Sequence, residues 1–459
     1  MRFNRRQGTS LDDRDLRLSK VGVALTVTFV TAVLVSGGVF LSLVVLLDFQ
    51  EIDKTAKLDA KTLFDLVKLS FGVVAGAGAL VALVVAYRRQ RVDEAGAHRE
   101  ATRLHTERFS QAVDKLGSDS PAVRLGGVHA LAGLADDAPT QALRQTCIDV
   151  LCAYLQLPFT PDPGEDPTHQ EEHHRYLAFR KVRHTILRLI GDHYRRPQGT
   201  HRSWQGCDLD LTDVTIDGNL NFDGAVFSGG TMSFDGAVFS GGTMSFDGAV
   251  FSGGTVTFDG AVFSGGTVTF DGAVFSGGTV TFDVATFSGG MVALDGSTFS
   301  GGTVTFDMAT FSGGMVAFDG ARFSGGMVSF GAALFSGGIV SFGQAVFSGG
   351  MVAFSGAMFS GSEVHFDDAT FFGGEVLFAA EYSGGKVAFN SAVFSGGAVG
   401  FGAARFSGSE VQFYAVTFSG GTVDFSHAAG SPPVGLLAAV GNPVSATVAL
   451  PVDWLPPNP

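Results

Sequence analysis

A twelve-residue unit repeats seventeen times over residues 222–425, and this repeat constrains the fold more than any other feature of the chain. The first copy reads FDGAVFSGGTMS at Phe222–Ser233, and the next four copies are nearly identical. A short fixed period is typical of a solenoid, because one unit cannot bury its own apolar face and must stack on its neighbours. The sequence therefore predicts a rod of stacked coils over this part of the chain.

The Phe residues of the repeat alternate at spacings of five and seven, as at Phe222, Phe227 and Phe234. An apolar residue lies two before each Phe: Val or Met before the first of a unit, and usually Ala before the second. Residues two apart point to the same side of a strand, so we expect these pairs to point inward. The Asp-Gly and Ser-Gly pairs are then predicted to form corners, because Gly adopts positive φ without strain.

Each unit divides into two five-residue modules and a Gly-Thr extension, and the modules resemble those of the pentapeptide-repeat family. In that family a small or apolar residue lies two before a central Leu or Phe. The resemblance covers residues 207–425 and implies an all-β fold, a right-handed quadrilateral β-helix. The extension departs from the family's plain module, so we expect every second corner to be longer and two successive units to form one coil. The predicted solenoid occupies residues 206–426, with a Pro-rich C-terminal cap or tail at 427–459.

Two uncharged segments, residues 21–47 and 69–87, precede the repeat, and each is long enough to cross a bilayer core of about 30 Å. Residues 1–20 carry six basic side chains, and three arginines follow the second segment. The excess of basic residues on the cytoplasmic side places both flanks in the cytoplasm and residues 48–68 in a short external loop. The sequence therefore predicts two transmembrane helices and a multi-pass protein of the cell membrane. A G-x-x-x-G pattern in the second segment indicates either a homo-oligomer contact or simple packing of the two-helix hairpin.

Residues 88–157 are predicted to be a cytoplasmic helical segment, since apolar side chains recur at helical spacing. Within it, residues 122–135 are similar to a HEAT-type helix. Residues 158–180 are rich in Pro and acidic side chains and are predicted to be a linker, and residues 181–205 a connecting helix that leads to the solenoid. This order of parts, with Glu107–Ala135 carrying the match, resembles bacterial membrane-anchored pentapeptide-repeat proteins.

The net charge of −14 is unevenly distributed along the chain. Residues 206–459 contain 21 Asp or Glu and three Lys or Arg, a net charge of −18, so the first 205 residues carry about +4. An Asp follows the first Phe of nine successive units, at a predicted corner, either as a solvated turn residue or as part of a surface for a partner. These nine candidate site residues are Asp223, Asp235, Asp247, Asp259, Asp271, Asp283, Asp295, Asp307 and Asp319.

We predict a membrane-tethered scaffold that presents this acidic surface to protein partners and does not bind nucleic acid directly. One alternative is a DNA-mimicking inhibitor or protector of gyrase, since some pentapeptide-repeat proteins imitate DNA and occupy topoisomerases. A second alternative is a surface binder, because Thr255, Thr257, Thr267 and Thr269 begin a Thr-x-Thr array of period twelve, a pattern known from ice-binding solenoids.

Nothing in the sequence indicates catalysis: it has no nucleophile–base–acid set and no phosphate loop between a strand and a helix. We therefore predict no enzyme activity and no cofactor. His169–His173 fits the H-x-x-E-H spacing of some zinc proteases, but its Pro-rich and acidic surroundings predict a solvated linker without a metal. Cys147, Cys152 and Cys207 are predicted to be reduced thiols, and the apolar helical stretch around Cys147 and Cys152 predicts that these two are buried.

Overall fold

The computed structural model describes residues 60–160, 162–441 and 444–455, together with eight helical positions between 26 and 38. The chain divides into two compact units, Met1–Arg103 and Leu104–Pro459. The helices and helical turns, with our labels for the α-helices, are α1 Ala60–Leu116, α2 Pro121–Asp136, α3 Gln141–Gln156, a 3-10 turn Pro167–His169, α4 Gln170–Tyr194, α5 Leu436–Val440 and a 3-10 turn Val452–Trp454.

The prediction of two transmembrane helices is wrong for the part of the chain that the structure describes, where no helix combines the length and the apolar character that a membrane crossing requires. The segment 69–87 is part of α1, a continuous helix of 57 residues. Charged residues flank this segment within the helix, Lys68 before it and Arg88 and Arg89 after it, so the uncharged run is one stretch of a longer helix of mixed character. The segment 21–47, apart from the eight helical positions, lies outside the described residues, and the predicted membrane localisation depended on both segments.

The C-terminal unit contains a parallel β-solenoid of two sheets, which confirms the predicted solenoid. The first sheet, called sheet A, contains β1 Leu209–Asp210, β4 Val226–Ser233, β7 Val250–Thr257, β10 Val274–Thr281, β13 Thr298–Thr305, β15 Arg322–Ser329, β17 Val346–Ala353, β19 Thr370–Leu377, β21 Val393–Gly400, β24 Thr417–Asp424 and β26 Val448–Ala449. The second, sheet B, contains β2 Thr215–Ile216, β3 Leu220–Asn221, β5 Val238–Phe239, β6 Thr243–Ser245, β8 Val262–Phe263, β9 Thr267–Thr269, β11 Thr286–Phe287, β12 Met291–Ala293, β14 Thr310–Ala317, β16 Leu334–Ser341, β18 Met358–His365, β20 Glu381–Ala388, β22 Arg405–Phe406, β23 Glu410–Gln412 and β25 Ala429–Gly430.

Two twelve-residue units form one coil. In sheet A, Phe275 of β10 pairs with Phe299 of β13, which lies two units further along the chain. Alternate units therefore contribute to opposite sheets, as the sequence predicted. The ladder continues from β1 to β26 and gives about ten turns, more than the repeat alone indicated.

In the eight-residue strands the Ser-Gly-Gly segment or its equivalent lies within one strand, mostly as a β-bulge, whereas in four units of sheet B it separates two short strands, namely β5 and β6, β8 and β9, β11 and β12, and β22 and β23. The pairing of β10 with β13 shifts register on both sides of Ser276 and resumes at Thr279. A Cβ on Gly277 would lie 2.6 Å from the carbonyl oxygen of Ser252 in the preceding coil, and Gly278 has a φ of +71°. Both positions therefore require Gly. Each coil contributes to two hydrogen-bonded sheets, and these sheets join at the Asp-Gly corners.

The core of the solenoid is a set of stacked aromatic rings. Phe287 lies between Phe263 and Phe311, with ring centroids 4.8 Å apart on each side and planes within 3° of parallel. Its side chain is 1% exposed, and Ala285, two residues earlier, is fully buried beside it. This confirms the inward orientation predicted for the Phe and Ala positions. Tyr382, in the one unit of eleven residues, is also fully buried and stacks on Phe359 at 4.9 Å.

Both ends of the solenoid are covered by the chain itself. At the start, α4 packs on β3 and α3 on β1. Helix α4 begins at Gln170, so the second half of the segment predicted to be a linker, 158–180, is helical. At the other end, the ladder extends beyond the predicted limit of residue 426, and Trp454 donates a hydrogen bond from Nε1 to the carbonyl oxygen of Gly430 at 2.8 Å. The described part of 427–459 is therefore a cap.

Candidate interaction surfaces

The nine candidate Asp residues form two columns along the solenoid, one at each Asp-Gly corner. Column 1 consists of Asp235, Asp259, Asp283 and Asp307, and column 2 of Asp223, Asp247, Asp271, Asp295 and Asp319. Members of one column are two units apart and lie in neighbouring coils. The spacing between coils follows from the strand separation of about 4.8 Å.

Within each column, except at Asp223, the carboxylate of one coil binds the backbone of the next. Oδ1 of Asp271 accepts a hydrogen bond from the backbone N–H of Asp295 at 3.0 Å, and Oδ1 of Asp295 accepts one from Asp319 at 2.9 Å. Column 2 ends when Oδ1 of Asp319 accepts from Gly343 at 2.8 Å. The corner Asp residues therefore stabilise the stacking of coils, a role that the sequence alone did not indicate.

The carboxylates in the middle of the columns are partly removed from water. Burial raises the pKa of Asp271, Asp283 and Asp295 above its ordinary value, and the charge of a neighbouring Asp in the same column raises it further. In column 2, from Asp247 to Asp319, the second oxygen makes no hydrogen bond within the described part of the chain. The columns are thus two rows of negative charge, and from Asp247 to Asp319 each carboxylate of column 2 is fixed through one oxygen and open through the other.

A row of exposed apolar side chains crosses sheet B. Met291 pairs with Met315, and Met315 with Ile339, so the three lie side by side in successive coils. Their exposed fractions are 39%, 36% and 41%. The row begins after Thr267 and ends before Glu363. We call Met291, Met315 and Ile339 the apolar row. The sequence contained its signal, Met or Ile in place of Thr in several units from Met291 onward, but only the pairing shows which of these positions adjoin.

The Thr-x-Thr array does not form one continuous face. Thr255 pairs with Thr279 in sheet A, whereas Thr267 pairs with Thr243 in sheet B. Because a step of one unit leads to the opposite sheet, the predicted array divides into two separate rows. In sheet B the row of Thr gives way to Met291 after Thr267.

The histidines predicted to lie in a linker stand at the start of α4. Nδ1 of His173 is 2.7 Å from Oδ1 of Asp162, whereas His169 lies in the preceding 3-10 turn. The described residues contain no group of three or more His, Cys, Asp or Glu suited to a metal ion. The cysteines are buried and unpaired, and burial raises the pKa of the Cys147 thiol to about 11.

The first coil is joined to α4 by an ionic contact. The carboxylate of Asp217 lies 2.6 Å from Nε of Arg180 and 2.9 Å from Nε2 of His184. The hydrogen bond from His184, followed by that from Arg180, lowers the pKa of Asp217 to about 2. This contact fixes the helical part on the solenoid and has the geometry of a structural ion pair.

Comparison of the chain with models of protein families, with curated proteins and with solved structures gives no significant match in any of the three. The resemblance to pentapeptide-repeat proteins therefore stays a prediction from the modules, while the solenoid itself rests on the structure.

Proposed function

We propose that the protein is a repeat scaffold for interactions, whose solenoid presents an acidic surface to a basic segment of a partner protein. The observation that carries the proposal is the pair of carboxylate columns, in which the second oxygen of Asp247, Asp271, Asp295 and Asp319 makes no hydrogen bond within the described part of the chain. Residues 206–459 carry a net charge of −18, so a basic partner would be attracted over the whole solenoid. The proposal assigns no catalytic step to the chain.

We place the contact on sheet B. In two neighbouring coils a column 2 carboxylate follows the apolar row by four residues: Asp295 follows Met291, and Asp319 follows Met315, whereas Gly343 follows Ile339. Four residues of extended chain span about 13 Å, which is close to the width of one helix. A partner segment with apolar side chains on one face and Lys or Arg beside them would cover both features. The charges set the rate and selectivity of association, and burial of Met and Ile supplies affinity.

A peptide-binding experiment tests this proposal. The probe is a synthetic amphipathic helix of Leu and Lys, with a scrambled peptide of the same composition as its control. The variants of the full chain are Met315→Gln with Ile339→Gln, and Asp295→Asn with Asp319→Asn. Their matched controls are Met327→Gln with Met351→Gln, an exposed pair of neighbours in sheet A, and Asp235→Asn with Asp259→Asn in column 1. We expect each sheet B variant to weaken binding about tenfold and each control by less than about twofold.

Equal losses for the two columns, or equal binding of the scrambled peptide, would show only general attraction to a negative protein and would overturn the placement on sheet B. Crosslinking of the full chain in its cells, followed by the same variants, would then identify the partner. The gyrase alternative predicts a different outcome, namely inhibition of supercoiling, and is tested separately below.

A further inference from the structure

A cavity of about 550 Å³ lies in the helical part of the C-terminal unit, apart from the solenoid surface. It is formed by α2, α3, the start of α4, residues 157–160 and Pro163. Three arginines, Arg124, Arg175 and Arg183, line it together with one carboxylate, Glu172. Its volume is in the range of small-molecule sites in proteins.

Arg183 is a buried cation without a carboxylate partner among the described residues. Its side chain is 5% exposed, and its guanidinium donates hydrogen bonds to the carbonyl oxygens of Leu155 at 2.8 Å and Thr215 at 3.3 Å. Burial lowers its pKa. Three residues earlier on α4, Arg180 has an ion pair with Asp217 at 2.6 Å. Burial of a charge costs free energy unless the charge is paired. A bound anion would therefore stabilise Arg183, whereas Arg180 is already paired with Asp217.

Arg124 and Arg175 approach the cavity beside one aromatic ring that both contact. The Cζ atom of Arg124 is 4.6 Å from the ring centroid of Phe179, and that of Arg175 is 5.6 Å from the same centroid. Nη1 of Arg124 donates to the hydroxyl of Tyr154 at 3.0 Å. Neither guanidinium has an ion pair within the described chain, and aromatic contact holds both in position.

We propose that this cavity binds a small molecule that carries a phosphate monoester. Guanidinium groups bind phosphate through paired, charge-assisted hydrogen bonds, and Arg is preferred for this task. Three guanidiniums and one carboxylate leave a charge of about +2, which a phosphate monoester of about −1.5 to −2 at neutral pH balances. Arg175 makes no hydrogen bond within the described chain, and Nη2 of Arg124 and Nε of Arg183 also have donors free.

Calorimetric titration of the full chain at constant ionic strength tests the proposal, with inorganic phosphate, glucose 6-phosphate and adenosine monophosphate as separate probes. We expect one site, with tighter binding for at least one of the two esters than for inorganic phosphate. Arg175→Gln should weaken binding about tenfold, and Glu172→Gln should strengthen it several-fold.

Arg188→Gln is the matched control, because Arg188 is an exposed arginine of the same helix that pairs with Asp192 at 3.2 Å away from the cavity. It should leave the affinity unchanged, and circular dichroism should show the same helix and strand content for every variant. Equal effects of Arg175→Gln and Arg188→Gln, or no saturable binding of any probe at millimolar concentration, would overturn the proposal. Tighter binding of inorganic phosphate than of both esters would show a site for the phosphate ion and would overturn the proposal that the ligand is a phosphate monoester.

Discussion

Oδ1 of Asp259 accepts a hydrogen bond from the backbone N–H of Asp283, one coil further along, at 3.0 Å. Asp283 in turn accepts from Asp307 at 2.9 Å. Asn in place of Asp283 keeps the acceptor, whereas Ala removes it. We expect Asp283→Asn to change the free energy of unfolding by less than about 0.5 kcal/mol and Asp283→Ala to lower it by about 1 kcal/mol. Urea denaturation measures both, and an equal loss for Asn and Ala would mean that charge, and not the acceptor, stabilises the corner.

The stacked core predicts a much larger effect for a central ring. Phe287→Ala removes the ring between Phe263 and Phe311 and should cost about 3–5 kcal/mol. Because a solenoid is stabilised mainly by contacts between neighbouring coils, we expect the loss to be local. Amide hydrogen exchange should therefore accelerate in the coils around Phe287 and remain slow near the C-terminal cap. An effect no larger than that of Asp283→Asn would contradict the inward orientation of the Phe residues.

Val284 occupies a corner position with a φ of 61°, where a β-branched residue is strained. One coil earlier the same position is Gly260, with a φ of +66° and no atom within 4 Å of an added Cβ. Since the Gly260 site is open, backbone conformation alone should decide the outcome there. We expect Val284→Gly to raise the unfolding free energy by about 1 kcal/mol and Gly260→Val to lower it by about the same amount. Thermal denaturation of the reciprocal pair checks this, and the same sign for both changes would refute it.

The pH dependence should differ between the middle coils and the first coil. Asp271, Asp283 and Asp295 have raised pKa values, so the folded state holds protons more tightly than the unfolded chain. Their contribution to stability is present at low pH and is lost as the pH rises above 3.8 through the folded values. The middle coils should therefore exchange amide hydrogens more slowly at about pH 4 than at about pH 6, after correction for intrinsic exchange, and the triple Asn variant should not show this change.

Asp217 should behave in the opposite way, because its pKa is lowered to about 2. Its contribution is present above 3.8 and is lost as the pH falls through about 2. The contact of α4 with the first coil should therefore weaken between about pH 4 and pH 2, and Asp217→Asn should remove that dependence. Exchange of amides in α4 provides the measurement, and an unchanged profile in the variant would assign the transition to other groups.

We expect no inhibition of gyrase by the full chain. Column 2 contains five carboxylates, which at about 4.8 Å per coil extend about 19 Å, roughly half of one DNA turn of about 34 Å. A row of that length imitates only a short part of a duplex. A supercoiling assay tests this expectation at micromolar protein. Inhibition that disappears when Asp223, Asp247, Asp271, Asp295 and Asp319 are changed to Asn would favour the DNA-mimic alternative over the scaffold.

The solenoid was predictable because its sequence signal is periodic and redundant. The alternation of five and seven residues between Phe222, Phe227 and Phe234 determines which side chains are buried, and the structure follows it throughout. The bulge at Ser-Gly-Gly was harder to predict from the sequence. Gly277 and Gly278 are compatible with either a corner or a bulge, and only their contacts with the neighbouring coil distinguish the two. The transmembrane prediction depended on the length of two uncharged runs and on their basic flanks, and these features did not show that residues 69–87 belong to a helix that extends beyond them at both ends.

The interaction sites were less predictable, because each depends on contacts between residues far apart in the chain. Asp259 and Asp283 were correctly placed at corners, but their mutual hydrogen bond depends on the stacking of two coils. Arg124 and Arg175 lie on different helices, far apart in the sequence, and meet only at Phe179. The spacing of these residues in the sequence does not predict that contact.

Two units complete one coil, so the odd or even rank of a unit decides which sheet it joins. Adding or removing a pair of units would change the number of coils and leave every downstream residue on its original side. A single added unit would transfer all later residues to the opposite side, so that Met315 and Ile339 would no longer be aligned if it entered between them. The short unit around Tyr382 preserves this parity, because it loses one residue and still completes its half of the coil. Growth of this solenoid by duplication is therefore restricted to even numbers of units if its surfaces are to remain intact.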